Sequence, residues 1–140
     1  MKKILTLLIF LPALFACKTT HYTPKTYTGQ QITAGTSGGV TGMMKEYVIF
    51  DNGQLFVSKG LKGEWKALLK LKKSQTREIF SRAEELDLIN VKFNHPGNMT
   101  YYLVLKQPSR TSEIKWGESG VTPPEEVLSF YEFLMKKFQY

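Results

Sequence analysis

The residues in this chain with distinctive chemistry are one thiol, two imidazoles, two aspartates outside any obvious cluster, and a run of glycines. Cys17 is the sole cysteine among 140 residues, so no disulfide can close within the chain. His21 and His95 are the two histidines. Without further thiols nearby they supply no set of metal ligands, and neither a metal nor another cofactor is expected. Asp51 sits in a turn and Asp87 follows the end of a predicted helix. Most glutamates fall on predicted helix surfaces, so no pair of carboxylates stands out for acid–base work. His95 could belong to a Ser-His-Asp arrangement, because such triads are recognised by geometry rather than spacing. Nothing in the sequence selects partners for it. No catalytic residue is assigned, and the chain is expected not to be an enzyme.

The glycine run is Thr36-Ser37-Gly38-Gly39-Val40-Thr41-Gly42. A phosphate-cradling loop would end in Lys followed by Ser or Thr and lead into a helix. Here no lysine is in place and a strand follows. The glycines instead suit a bulge or tight bend. Their rim, Gly38, Gly39 and Gly42, is the candidate contact with a partner through backbone hydrogen bonds. Trp65, Trp116, Tyr101 and Tyr102, with lysines nearby, offer a stacking surface for sugars or peptides if they do not simply fill the core.

Cys17 has a specific context. Lys2 and Lys3 precede an apolar run from Ile4 to Leu11, Pro12 ends it, and Leu14-Phe15-Ala16-Cys17 follows. This is the three-part layout of an export signal, and the quartet resembles the lipobox of bacterial lipoprotein precursors. The resemblance implies a signal peptide over residues 1–16, cleaved between Ala16 and Cys17, with a diacylglyceryl group carried on the Cys17 sulfur. Ile4 to Ala16 is short of the roughly 20 apolar residues of a spanning helix. Each buried acyl methylene contributes roughly 0.8 kcal/mol, so two or three chains would anchor the protein in membrane lipid effectively permanently. Lys18 rather than Asp after the cysteine is similar to outer-membrane sorting in Gram-negative bacteria. Thr19-Thr20 lacks the acidic residues of surface-export signals, which favours the periplasmic face. Removal of Lys2 and Lys3 lowers the formal charge from +7 to +5. A basic domain beside anionic headgroups is drawn to the membrane surface or to acidic glycans, and nucleic acid is not an expected partner of an exported chain.

These residues must be positioned by few elements. Residues 17–31 read as the lipidated N-terminus and a flexible tether, being rich in Thr, Lys, Tyr and Gly without periodicity. Residues 32–140 read as a single domain. Tyr47-Val48-Ile49-Phe50 and Leu55-Phe56-Val57 flank Asn52-Gly53, a hairpin signal. A two-residue loop there pairs Phe50 with Leu55, Ile49 with Phe56 and Val48 with Val57. Both faces are then apolar, which places this hairpin inside a sheet. Trp65 to Leu71 alternates with lysines as a half-buried strand. Ser74 opens a helix to Leu86, with Ile79, Phe80, Ala83 and Leu86 on one side. Leu88 to Phe93 reads as extended, and Met99–Lys106 with Thr111–Trp116 as a second hairpin. Thr122-Pro123-Pro124-Glu125 matches a capping box before a last helix striped by Val127, Phe130, Tyr131, Leu134 and Phe138. The expected class is α+β: an antiparallel sheet of five to six strands with two helices packed on one face.

The order of Gly38-Gly39-Val40-Thr41-Gly42, the strand Tyr47–Phe50, Asp51-Asn52-Gly53, a helix ending in Leu86-Asp87-Leu88, Pro96–Tyr102, a Trp116 strand and a closing helix resembles small lipoproteins of Bacteroidota. More remotely, it is similar to emfourin-type inhibitors of thermolysin-like metalloproteases, over Thr33 to Phe138. The leading expectation is a membrane-anchored envelope lipoprotein whose domain binds another envelope protein or a glycan without catalysis. A protease inhibitor-like domain is the alternative the resemblance implies, and an envelope hydrolase a further one.

Overall fold

The computed structural model describes residues 21–60 and 63–138. Cys17 and the expected signal peptide over residues 1–16 lie outside the described residues. The elements are β1 (Gln31–Gly38), β2 (Met43–Phe50), β3 (Gln54–Lys59), β4 (Trp65–Lys70), α1 (Lys73–Glu85), β5 (Met99–Gln107), β6 (Arg110–Trp116) and α2 (Glu125–Phe138). The strands form one sheet in the order β4-β3-β2-β1-β5-β6, antiparallel at every pairing. Both helices lie on one face, and the architecture is α+β.

Strand alternation explains which residues meet the helices. Ile32 and Ala34 of β1 pair with Ile49 and Tyr47 of β2 and with Leu105 and Leu103 of β5. Successive residues point to opposite faces, so these side chains form one layer with Leu55, Val57 and Ile114. Against it pack Ile79 and Ala83 of α1 and Val127, Phe130, Tyr131, Leu134 and Phe138 of α2. The α2 stripe is the one expected, but the helix starts later. The carbonyl of Pro124 accepts from the amides of Val127 and Leu128, so Pro124 rather than Thr122 stands at the cap.

The hairpin at Asn52-Gly53 forms with its register one residue away from the expected one. Ile49 faces Leu55, Val48 faces Phe56 and Tyr47 faces Val57. The loop has three residues, closed by the Gly53 amide donating to the Phe50 carbonyl at 2.8 Å, with Gly53 at φ 90°. That is a type I turn followed by a left-handed glycine. A one-residue shift changes which residues share a face. Ile49, Leu55, Tyr47 and Val57 meet the helices, while Val48, Phe50 and Phe56 fall on the opposite side.

Those three are buried with none of the described helices over them, because the chain before β1 and Trp65 cover them. Tyr27 stacks on Phe50 with ring centroids 4.1 Å apart and planes 3° from parallel, and Tyr22 meets Tyr27 edge-on. The Tyr27 hydroxyl donates to Asp51, the Gln30 amide donates to the other Asp51 oxygen at 3.0 Å, and Gln31 Nε2 donates to the Tyr27 carbonyl at 2.9 Å. The segment expected as a flexible tether is therefore folded against the sheet from the Thr23–Thr26 turn onward. An apolar sheet face needs a cover, and Tyr27 and Trp65 provide it.

Two strand expectations are corrected. β4 is an exposed edge rather than a half-buried strand, and its pairing to β3 slips so that Leu68 and Leu69 sit at the irregularity, both exposed. Such a bulge blunts an edge strand. Leu88–Asn90 is a short 3-10 turn, not a strand. The sixth strand is β1, in which Ala34, Gly35, Ser37 and Gly38 dilute the β-branched Ile32, Thr33 and Thr36.

Candidate functional site

The glycine run is the β1–β2 hairpin tip. Gly38 pairs with Met43 on one side and with Met99 of β5 on the other. The Gly42 amide donates to the Gly39 carbonyl at 3.1 Å, and the Gly39 amide donates to the Asn98 carbonyl at 2.8 Å. Gly38 and Gly39 have φ of 104° and 75°, a region that penalises any residue with a Cβ. At Gly38 a Cβ would also collide with the Asn98 carbonyl oxygen. Glycine is thus required by backbone shape and by close approach together. Gly38 and Gly39 dock the tip against the start of β5, Gly42 closes it, and the two outer residues of the loop are left to solvent.

Val40 at the apex is fully exposed, and Met43 and Met99 are 60% and 42% exposed on either side of Gly38. Behind them on the same face runs the row Lys59, Lys45, Thr36, Tyr101 and Trp116, each paired with the next across the sheet. The tip, Met43, Met99, Lys45 and Lys59 border a shallow cavity of about 340 Å3. Thioethers are polarizable and take several rotamers, so they adapt to an apolar partner surface. The two lysines give that surface a cationic border. The arrangement suits binding, with specificity from backbone groups and charge, and it brings no acid–base pair together.

Sequence reasoning placed the glycines here but missed Met43, Met99, Lys45 and Lys59. Their proximity depends on β5 lying beside β1, a pairing no local motif signals.

The other candidates sit apart from the tip. His21 is exposed. His95 is exposed too, and its Nδ1 lies 2.9 Å from Glu118. Backbone bonds from His95 to Lys115 and from Glu118 to His95 run alongside, so this pair ties two loops together. Asp51 holds the N-terminal segment, and Asp87, at φ 49°, accepts from Asn90 Nδ2 at 2.6 Å. Among the described residues no three His, Cys, Asp or Glu side chains converge as metal ligands. Of the four aromatics considered for stacking, Tyr102 and Trp116 are buried and Trp65 is half-buried, while Tyr101 is exposed at the rim. Trp116 packs edge-on against Tyr131 at 5.0 Å, so core packing accounts for it. Tyr102 reaches over Gly35 to donate to Glu46 at 2.6 Å. Burial and then that bond push its phenol well above the ordinary range.

Compared with known protein families and with curated proteins, the chain matches none.

Proposed function

We propose that the mature chain is an outer-membrane lipoprotein, held through acylated Cys17 at the periplasmic face. Its domain would bind another macromolecule of the envelope without catalysis, using the Gly38–Gly42 tip. The observation that carries this reading is the exposed ridge of Val40, Met43 and Met99, set on a tip whose shape is held by the Gly39–Asn98 bond. An exposed apolar patch rimmed by charge marks an interaction site, and Met43 and Met99 border one cavity with Lys45 and Lys59. A tip held by backbone hydrogen bonds loses less entropy on binding than a free loop.

The test is affinity capture of solubilised envelope on the lipid-free chain from Thr19 to Tyr140, beside a Met43→Glu, Met99→Glu variant and Gly39→Val. A partner held by the parent and lost from both variants, with their thermal midpoints retained, supports the assignment. A partner that binds all three equally removes the tip from the interface. A protruding hairpin of this kind also fits a protease cleft, which keeps the inhibitor reading as the second one. Titration against thermolysin-like metalloproteases decides it, since absence of inhibition at micromolar chain counts against it.

A further inference from the structure

At the end of the sheet opposite the tip, α1, the β2–β3 turn and the ends of β1 and β5 enclose a groove of about 640 Å3. That lies within the roughly 300–1,000 Å3 of small-molecule sites. Its apolar lining is a buried floor of Ile32, Ala83 and Leu105 and the partly exposed Leu71, Phe80 and Ile89. Four cations also border it: Lys70, Lys73, Arg77 and Lys106. The ion pairs among the described residues are His95–Glu118, Glu113–Lys115 and Glu78–Lys137, so none of the four is engaged there.

Three carboxylates share the groove: Asp51, Glu84 and Asp87. Asp51 already accepts from Tyr27 and Gln30, and Asp87 from Asn90. The first turn of α1 carries no acidic residue, which leaves the positive end of its dipole unopposed beside Lys73. Four cations against three carboxylates leave the groove a net charge of +1. A small anion would satisfy that excess of positive charge and leave Leu71, Phe80 and Ile89 wet. A neutral hydrocarbon would fill the lining without matching that charge. A molecule with both parts satisfies both.

We propose that this groove binds a single acyl chain bearing an acidic head group. The inference does not depend on the tip or on lipidation of Cys17. The probe is lysophosphatidylglycerol below its micellar concentration, titrated into the lipid-free chain from Thr19 to Tyr140, which contains every described strand and helix. Saturable binding is expected, weakened about tenfold or more by Lys73→Glu with Arg77→Glu, because like charge then faces the head group. Ser81→Trp, which fills the groove and keeps its charges, is expected to weaken it similarly. Lysophosphatidylcholine, with the same chain and no net charge, should bind about tenfold more weakly, and glycerol phosphate should not bind. Palmitate distinguishes a fatty acid from a phospholipid as the source, the tighter acid naming the head group. Equal affinity for the charged and uncharged lipids overturns the proposal. So does binding of glycerol phosphate alone, or unchanged affinity in both variants with folding retained.

Discussion

Three tyrosines carry their hydroxyls into surroundings that disfavour a phenolate. Burial, then the hydrogen bond and charge of Asp51, pushes Tyr27 up to about 12 from an ordinary 10.0. Burial, with a smaller effect of Tyr101, pushes Tyr131 up to about 12 as well, and its hydroxyl donates to the Gly35 carbonyl at 3.3 Å. Tyr102 is raised in the same direction. Each folded pKa lies above its unfolded value, so the folded chain favours the neutral phenol. That contribution is complete below pH 10 and is lost as pH rises through about 12. Urea midpoints should therefore hold up to pH 10 and fall above it, and Tyr27→Phe or Tyr131→Phe should flatten the fall. A parent and variants that decline in parallel would show that these hydroxyls do not govern the alkaline limit.

Among the elements, the N-terminal segment is the one whose role differs most from its composition. Tyr27→Ala removes a stacked ring and uncovers Phe50, and it should cost about 2 kcal/mol in urea unfolding, given the worth of aromatic pairs and of large-to-small changes. Tyr27→Phe should cost less, and a Tyr27→Ala variant as stable as the parent would mean the segment does not cover the sheet in solution. No periodicity announces this element, because one ring and one turn suffice to hold it. The helices were legible because Ile79 and Ala83, or Val127, Phe130, Tyr131 and Leu134, repeat at helical spacing and need no knowledge of their neighbours. The Asn52-Gly53 turn was legible as a turn but not as a register. A glycine with positive φ serves two-residue and three-residue loops alike, and loop length decides which side chains share a face. β1 was invisible for a different reason. Ile32, Thr33 and Thr36 favour a strand, but Ala34, Gly35, Ser37 and Gly38 interrupt them, and the conformation is completed by the strands on either side. The tip and the groove each join residues far apart in the chain, so neither could be assembled before the strand order was known.

At the scale of the whole molecule, the two candidate surfaces lie at opposite ends. β1 spans 8 residues from Gln31 to Gly38, and at roughly 3.3 Å per residue this separates the tip from the start of the sheet by roughly 23 Å. A chain tethered before Gln31 would hold the groove near the bilayer and point the tip away from it. The proposed acylation of Cys17 is checked by labelling: incorporation of labelled fatty acid should be lost in Cys17→Ala, and incorporation that persists would overturn it. The central place of β1 has a consequence for how the protein is made. It is the first of the described strands in chain order, yet one of its two neighbours, β5, follows only after β3, β4 and α1. Until β5 arrives, β1 presents an unpaired edge, the kind of surface on which other chains add. Non-local pairing of this sort slows folding. Gly35, Ser37 and Gly38 then act as a safeguard, because they weaken the pairing of β1 on its own and slow its recruitment of a wrong neighbour during the wait.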